Sequence, residues 1–218
     1  MQTAETLPAA ASDAAVDGTT IIDRMMPDYD AVRTEHRVID GTPTELFEIA
    51  LHADLAEALR LNPLAGMLFS LRAGIERTMC FLTRRDPPPP PVPEERLSLA
   101  NMPEHGQWVS LGRSSPEEIA FGVVGRFWAG ETRWEEIDAA DFAGFSRPGV
   151  ARIAANLSFR AYGNERTLVS YECRVKATDP NSRRAFMRYW RPVSPLIGVV
   201  LRSVLKLIER EQRERGNA

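Results

Sequence analysis

Residues 179–213 read DPNSRRAFMRYWRPVSPLIGVVLRSVLKLIEREQR, and this stretch decides the fold. Asp179-Pro180 is a helix start. The Asp179 carboxylate accepts from a free backbone N–H of the first turn, and Pro180 fits the first helical position, where no N–H is needed. Phe186, Trp190, Val193, Ile197, Val200, Val204 and Ile208 then recur at steps of three and four, one apolar stripe of a 3.6-residue helix. Arg183, Arg184, Arg188, Arg191, Arg202, Lys206 and Arg210 fall largely off that stripe. Pro192 and Pro195 each remove a ladder hydrogen bond and crowd the preceding turn, which predicts a kink or break near 191–195. At ~1.5 Å per residue the run extends roughly 50 Å. A domain of this size has a radius of gyration of roughly 16 Å, so the helix crosses all of it and needs a long apolar partner.

The chain upstream supplies one. Tyr29–Ile39 reads as a strand with Val32, Thr34, His36 and Val38 on its inward face and Arg33, Glu35 and Arg37 opposite. Gly41-Thr42-Pro43 turns into a helix carrying Leu46, Phe47, Ile49, Ala50 and Ala53. A second helical segment covers 54–83, restarting at Asn62-Pro63, and an extended proline-rich loop follows over 86–106, with Pro87 through Pro91 and Pro93. Beyond it the period changes to two. Strands are expected at Trp108–Arg113, Glu117–Trp128, Thr132–Ile137, Val150–Tyr162 and Thr167–Ala177. Their apolar faces carry Ile119, Phe121, Val123 and Phe127, then Ile153, Ala155, Leu157 and Phe159, then Val169, Tyr171, Cys173 and Val175. Gly122 and Gly125 mark an expected bend or bulge. Residues 1–26 read as a disordered tail before a single domain over 27–213, and Met25-Met26 offers an alternative translation start. Short turns between consecutive strands imply antiparallel pairing. The fold class is therefore α+β: a curved antiparallel sheet of about six strands, two helices after the first strand, and a long, proline-kinked C-terminal helix as the cover.

This arrangement resembles the helix-grip superfamily of START-like, polyketide-cyclase and Bet v 1-related proteins over about residues 27–213. The resemblance rests on His36-Arg37-Val38-Ile39-Asp40-Gly41-Thr42-Pro43-Thr44-Glu45-Leu46-Phe47. It rests also on Glu172-Cys173-Arg174-Val175 running into Asp179-Pro180, Arg188-Tyr189-Trp190, Pro195 and the long helix. The proline loop and the long second helical segment depart from the plainest family pattern. The resemblance implies a hydrophobic ligand pocket in a family of carriers, receptors, aromatases/cyclases and proteins without known activity.

Composition narrows the function classes. Of 218 residues 44% are apolar and the net charge is −3, which carries no signature of nucleic-acid binding. Charge is nevertheless uneven: residues 181–218 hold nine Lys/Arg against three Asp/Glu, and residues 86–145 hold four against eleven. A basic closing helix suits an anionic membrane or partner, although a solvated outer face is the commoner meaning. Cys80 and Cys173 lack metal-ligand spacing and read as reduced, buried thiols of a cytoplasmic protein. No uncharged apolar run reaches the ~18 residues of an integral membrane segment. No HExxH, GxSxG or phosphate-binding glycine loop is present, and no cofactor or metal is implied. A monomer or a homodimer is expected.

The candidate ligand-binding residues are His36, Phe121, Val123, Arg126, Leu157, Phe159, Tyr171, Phe186 and Trp190, with no catalytic residue assigned. The apolar members form a wall for a lipid, polyketide or aromatic molecule. His36 is a candidate general base or a group that orients a ligand hydroxyl, supplying polarity to the wall. Arg126 grips a carboxylate or phenolate if its face is inward and is ordinary surface if not. Glu172 and Arg174, two apart on one strand face, form either a buried pair or a solvated one. Two further readings compete with the carrier: an aromatase/cyclase or dehydratase using His36 or Tyr171 for proton transfer, and an interaction protein docking through its basic helix and proline loop.

Overall fold

The computed structural model describes residues 19–60, 97–105, 107–128 and 132–216. Six antiparallel strands form one sheet: β1 (Ala31–Asp40), β2 (Val109–Ser114), β3 (Glu118–Arg126), β4 (Arg133–Glu135), β5 (Ala151–Ala161) and β6 (Arg166–Ala177). Their order is β1-β6-β5-β3-β2, with β4 also paired to β3. Among the described residues five α-helices accompany them: α1 (Ile21–Met25), α2 (Pro43–His52), α3 (Leu55–Arg60), α4 (Ala139–Phe142) and α5 (Pro180–Gly216). A long C-terminal helix gripping an antiparallel sheet is the expected architecture. Asn62-Pro63 and the proline run lie outside the described residues.

α2 starts where the sequence signals it. Thr42 accepts from the backbone N–H of Glu45, Glu45 reaches back to the Thr42 N–H at 2.8 Å, and Pro43 occupies the first turn. α5 starts equally clearly. Asp179 accepts from the N–H groups of Asn181 and Ser182, from the Ser182 hydroxyl, and from the N–H of Gly149 across the chain. These bonds hold its carboxyl well below the usual carboxylate range, the Ser182 hydroxyl contributing most.

The expected kink or break at Pro192 and Pro195 does not interrupt the helix: α5 is continuous over 37 residues. Arg188 and Arg191, whose carbonyls the two prolines leave without donors, are exposed, as are the prolines themselves. Water serves those carbonyls, so the helix continues. The buried face also differs from the expected stripe. Leu201, Val204, Leu205, Leu207 and Ile208 are buried, whereas Val193 and Val200 are only half-buried.

α5 runs principally along the edge strand β1 and its neighbour β6. At its start Phe186 is fully buried against Phe127, Trp128 and Trp190, with ring centroids 5.6 to 6.0 Å apart. Burying such a ring contributes about 3 kcal/mol. Further on, Gly198 brings the helix backbone onto β1. A Cβ there would lie 2.6 Å from Arg33 Nε and 2.7 Å from Glu35 Oε1. Beyond it Arg37 meets Glu209 at 2.5 Å, and Arg210 meets Glu57 of α3 at 2.6 Å.

The sheet is covered on both sides. Strand alternation sends Ile119, Phe121, Ala155, Leu157, Phe159, Val169 and Tyr171 into a core with α2 and α5. It sends Ala120, Val124 and Ala154 into a second core, on the opposite face, with Ile21, Ile22, Met26, Leu111 and Phe142. The tail expected over residues 1–26 therefore ends sooner, because Ile21–Met25 fold as α1 against the sheet. Thr20 and Asp23 form its capping box. Gly122 does not serve a bend: it makes room for Phe142, whose ring would lie 2.6 Å from an added Cβ. Gly125 does the same for Trp134 at 2.5 Å. The bulge lies instead in β2, between Ser110 and Gly112, where Gly112 adopts φ +140°.

Candidate functional site

The register places the expected residues on opposite faces of the sheet. Phe121, Val123, Leu157, Phe159 and Tyr171 all face α2 and α5, with Tyr171 opposite Leu157 on β5 and Glu35 on β1. Phe186 and Trp190 flank this face from α5. His36 does not join them. It shares the outward face of β1 with the exposed Val32 and Val38, and its Nδ1 lies 2.8 Å from Ser170 Oγ. The residues of β1 that turn inward are Arg33, Glu35 and Arg37, because α5 presents Arg202 and Glu209 to them. Arg126, two residues beyond Val124, is likewise outward and exposed. It borders an open surface pocket of about 460 Å³ with Trp128, Pro148, Gly149, Asp179 and Ser182.

Among the residues that do face α5, packing separates wall from core. Val123, Leu157, Phe159 and Phe186 are sealed completely. Phe159 stacks edge-on against Phe47 of α2 at 5.7 Å. A different set retains accessible surface: Tyr171, Cys173, Ile153, Trp108 and Ile197. Trp108 meets Phe121 edge-on at 5.3 Å and Phe121 meets Tyr171 at 6.3 Å, so three rings run in series to the middle of the sheet. Burial pushes the Cys173 thiol up to about 12, with the Glu172 carboxylate adding to the shift. Burial likewise raises the Tyr171 hydroxyl far above the ordinary tyrosine range, with Cys173 adding to it.

Charge on this face comes from residues the alternation of β1 assigned to the other face. Glu35 Oε1 accepts from Arg33 at 2.5 Å and from Arg202 at 2.6 Å. Burial pushes the Glu35 carboxyl up, and the bonds from Arg202 and Arg33 outweigh it, leaving the carboxyl below its ordinary value. Two arginines share this one carboxylate at the edge of the sheet, so the group carries a net positive charge.

The Glu172–Arg174 pair exists, but it is not solvated and does not face α5. Arg174 is buried on the outer face, where it bonds to Glu172, to Asp23 at 2.6 Å and to the Met26 carbonyl at 3.0 Å, and lies 4.9 Å over the Tyr29 ring. Beside it the buried Glu118 accepts from the Ile21 and Ile22 N–H groups at 2.5 and 3.2 Å and from Asn156 Nδ2 at 2.5 Å. A carboxylate at the start of α1 also suits the helix dipole. This network holds the N-terminal segment in place. Thr20 with Asp23, the spacing of a capping box, is the sequence signal that marks it.

The basic face of α5 is spent in part within the molecule. Arg183 pairs with Asp30 at 2.7 Å, Arg202 with Glu35, Arg210 with Glu57 and Arg213 with Glu209 at 2.8 Å. Among the described residues no group of His, Cys, Asp and Glu side chains could hold a metal ion. No described helix is long and apolar enough to cross a membrane. Cys173 is a free thiol, and Cys80 lies outside the described residues.

No family model matches the chain, and no curated protein does. Two solved structures align over most of its length. The Thermus thermophilus protein TTHA0849 is 14% identical, covers 83% of this chain and 95% of its own, and has a TM-score of 0.30. The Zhui aromatase/cyclase from a Streptomyces species is 14% identical, covers 85% and 98%, and has a TM-score of 0.31. At these values neither bears on what this chain does; the fold rests on its own strand order and closing helix.

Proposed function

We propose that the protein binds a small hydrophobic molecule, such as a lipid, a polyketide or an aromatic, between the sheet and α5. One observation supports this reading: the sheet face toward α5 is apolar and aromatic, with Phe121, Leu157, Phe159 and Tyr171, and Tyr171 and Cys173 on it keep some accessible surface. A site lined by Phe121, Trp108, Ile153 and Ile197 is apolar enough to hold such a molecule, and a single hydroxyl suffices to orient it. The enzymatic alternative loses one of its two proton carriers, since His36 lies on the outward face. The docking alternative has four of the nine Lys/Arg of residues 181–218, Arg183, Arg202, Arg210 and Arg213, engaged in internal ion pairs. Native mass spectrometry of the purified protein, followed by solvent extraction, tests the reading. A bound apolar molecule released on unfolding is expected. Protein that carries none and takes up no apolar probe such as N-phenyl-1-naphthylamine refutes it. His36→Gln is expected to leave probe affinity unchanged.

A further inference from the structure

The solvent side of α5 is as regular as its buried side. Arg184, Arg188, Arg191, Pro195, Val199, Arg202 and Lys206 recur at steps of three and four, which sets them in one row along the helix. All are exposed except Val199, which is half-buried. From Pro180 to Ile208 the helix carries six Lys/Arg and no Asp or Glu, although the chain as a whole has a net charge of −3.

The fold does not neutralise these cations. Arg184 bonds to the Pro180 carbonyl and the Asn181 side chain, both uncharged. Arg188, Arg191 and Lys206 meet no carboxylate among the described residues. Arg202 does meet one, but its partner Glu35 is shared with Arg33, so that group too stays positive.

The row is not charged throughout. Between Arg191 and Arg202, roughly 16 Å of helix, it presents Pro195 and Val199, with Pro192 and Leu196 beside them. An apolar patch bracketed by cations matches a surface that has phosphates outside and acyl chains beneath. A nucleic acid fits it less well, because its phosphates continue without a gap. The carbonyls of Arg188 and Arg191, deprived of donors by Pro192 and Pro195, need water, which is present among lipid headgroups and absent from the hydrocarbon below.

We propose that this row docks the protein, with α5 lying flat, on an anionic lipid bilayer. The contact is shallow. Arg188, Arg191, Arg202 and Lys206 meet lipid phosphates, and the patch between them touches the upper acyl chains. Such binding is reversible and sensitive to salt.

Co-sedimentation of the full-length protein with vesicles near neutral pH tests this. Phosphatidylcholine vesicles containing about one quarter phosphatidylserine should bind it, pure phosphatidylcholine vesicles should not, and raising salt from about 0.1 M to about 0.5 M should release it. Arg188→Gln combined with Arg191→Gln should weaken binding about tenfold or more, since each cation near an anionic surface is worth about fivefold. Both side chains are exposed and free of ion pairs among the described residues, so their loss should leave the fold intact. Arg160→Gln combined with Arg166→Gln removes the same charge from exposed positions on β5 and β6, and should change binding by less than about twofold. Equal binding to both kinds of vesicle, binding to neither, or an equal loss in the two double variants overturns the proposal. Tighter binding of a duplex DNA oligonucleotide than of anionic vesicles at matched phosphate and salt also overturns it, and would make the row a nucleic-acid surface. The lipid and salt dependence of the wild type needs no variant, so a folding defect in either double variant does not protect the idea.

Discussion

On the outer face of the sheet Glu118, Asn156 and Arg174 are buried and each is hydrogen-bonded, in a network that pins α1. On the face toward α5, Tyr171 is buried to a similar degree and its hydroxyl bonds to nothing in the described chain. The difference separates two uses of polarity. A satisfied network contributes to stability and is lost at a large penalty. A hydroxyl that bonds only to water contributes little to folding. The outer face is thus the structural one, although its charged residues look more like a site than the rings and thiol opposite.

The largest break in that contrast comes from removing residues 1–24, as initiation at Met25 would. This strips Ile21, Ile22 and Asp23 from the sheet and leaves Glu118 and Arg174 buried with fewer partners. A loss of about 5 kcal/mol in urea unfolding is expected, from two isoleucine side chains and orphaned polar groups. Arg174→Met, which cuts only the ion network, should cost less, about 3 kcal/mol. A shortened chain as stable as the full one would mean that the outer face is not structural.

A smaller effect, and one that depends on pH, is expected at the start of α5. The Asp179 carboxyl is held below its ordinary value, so its contribution is fully present above the unfolded-state pKa of about 4 and is lost as pH falls through the lower folded value. Asp179→Asn should therefore unfold at lower urea than wild type at neutral pH. The gap should close progressively as pH drops below about 4; a gap that persists at pH 2 would show that ionisation is not what matters there. The smallest effect belongs to the α5 face. Tyr171→Phe should change stability by no more than about 0.5 kcal/mol, since no hydrogen bond is broken. A loss comparable with that of Arg174→Met would mean the hydroxyl has a structural partner after all.

Much of this fold is legible in the sequence, and for a specific reason. β5 and β6 fall within a residue or two of the expected bounds because long alternating runs leave the strand period unambiguous. The inward set of β3, β5 and β6 follows from the same alternation. β1 defeats the argument because both of its faces are polar in part: Val32, Thr34, His36 and Val38 look the better core face, yet Arg33, Glu35 and Arg37 turn inward. Their orientation is decided by Arg202 and Glu209, residues far along the chain on α5, and no local pattern carries that information. α1 is short enough that its capping box and paired isoleucines gain meaning only once Glu118 and Arg174 are seen to hold it. The open hydroxyl of Tyr171 is a property of what does not surround it, which a linear sequence cannot express.

Gly198 bears on how the long helix meets the sheet. A rod laid on a twisted surface touches it closely at one place and stands off elsewhere. Here the place of contact is fixed at the edge strand by the one residue that lacks a side chain, with the Arg33–Glu35 pair directly beneath. Any side chain introduced there would push aside the ends of Arg33 and Glu35, and so act on the ion pairs that tie the edge strand to Arg202 before it acted on the rod itself.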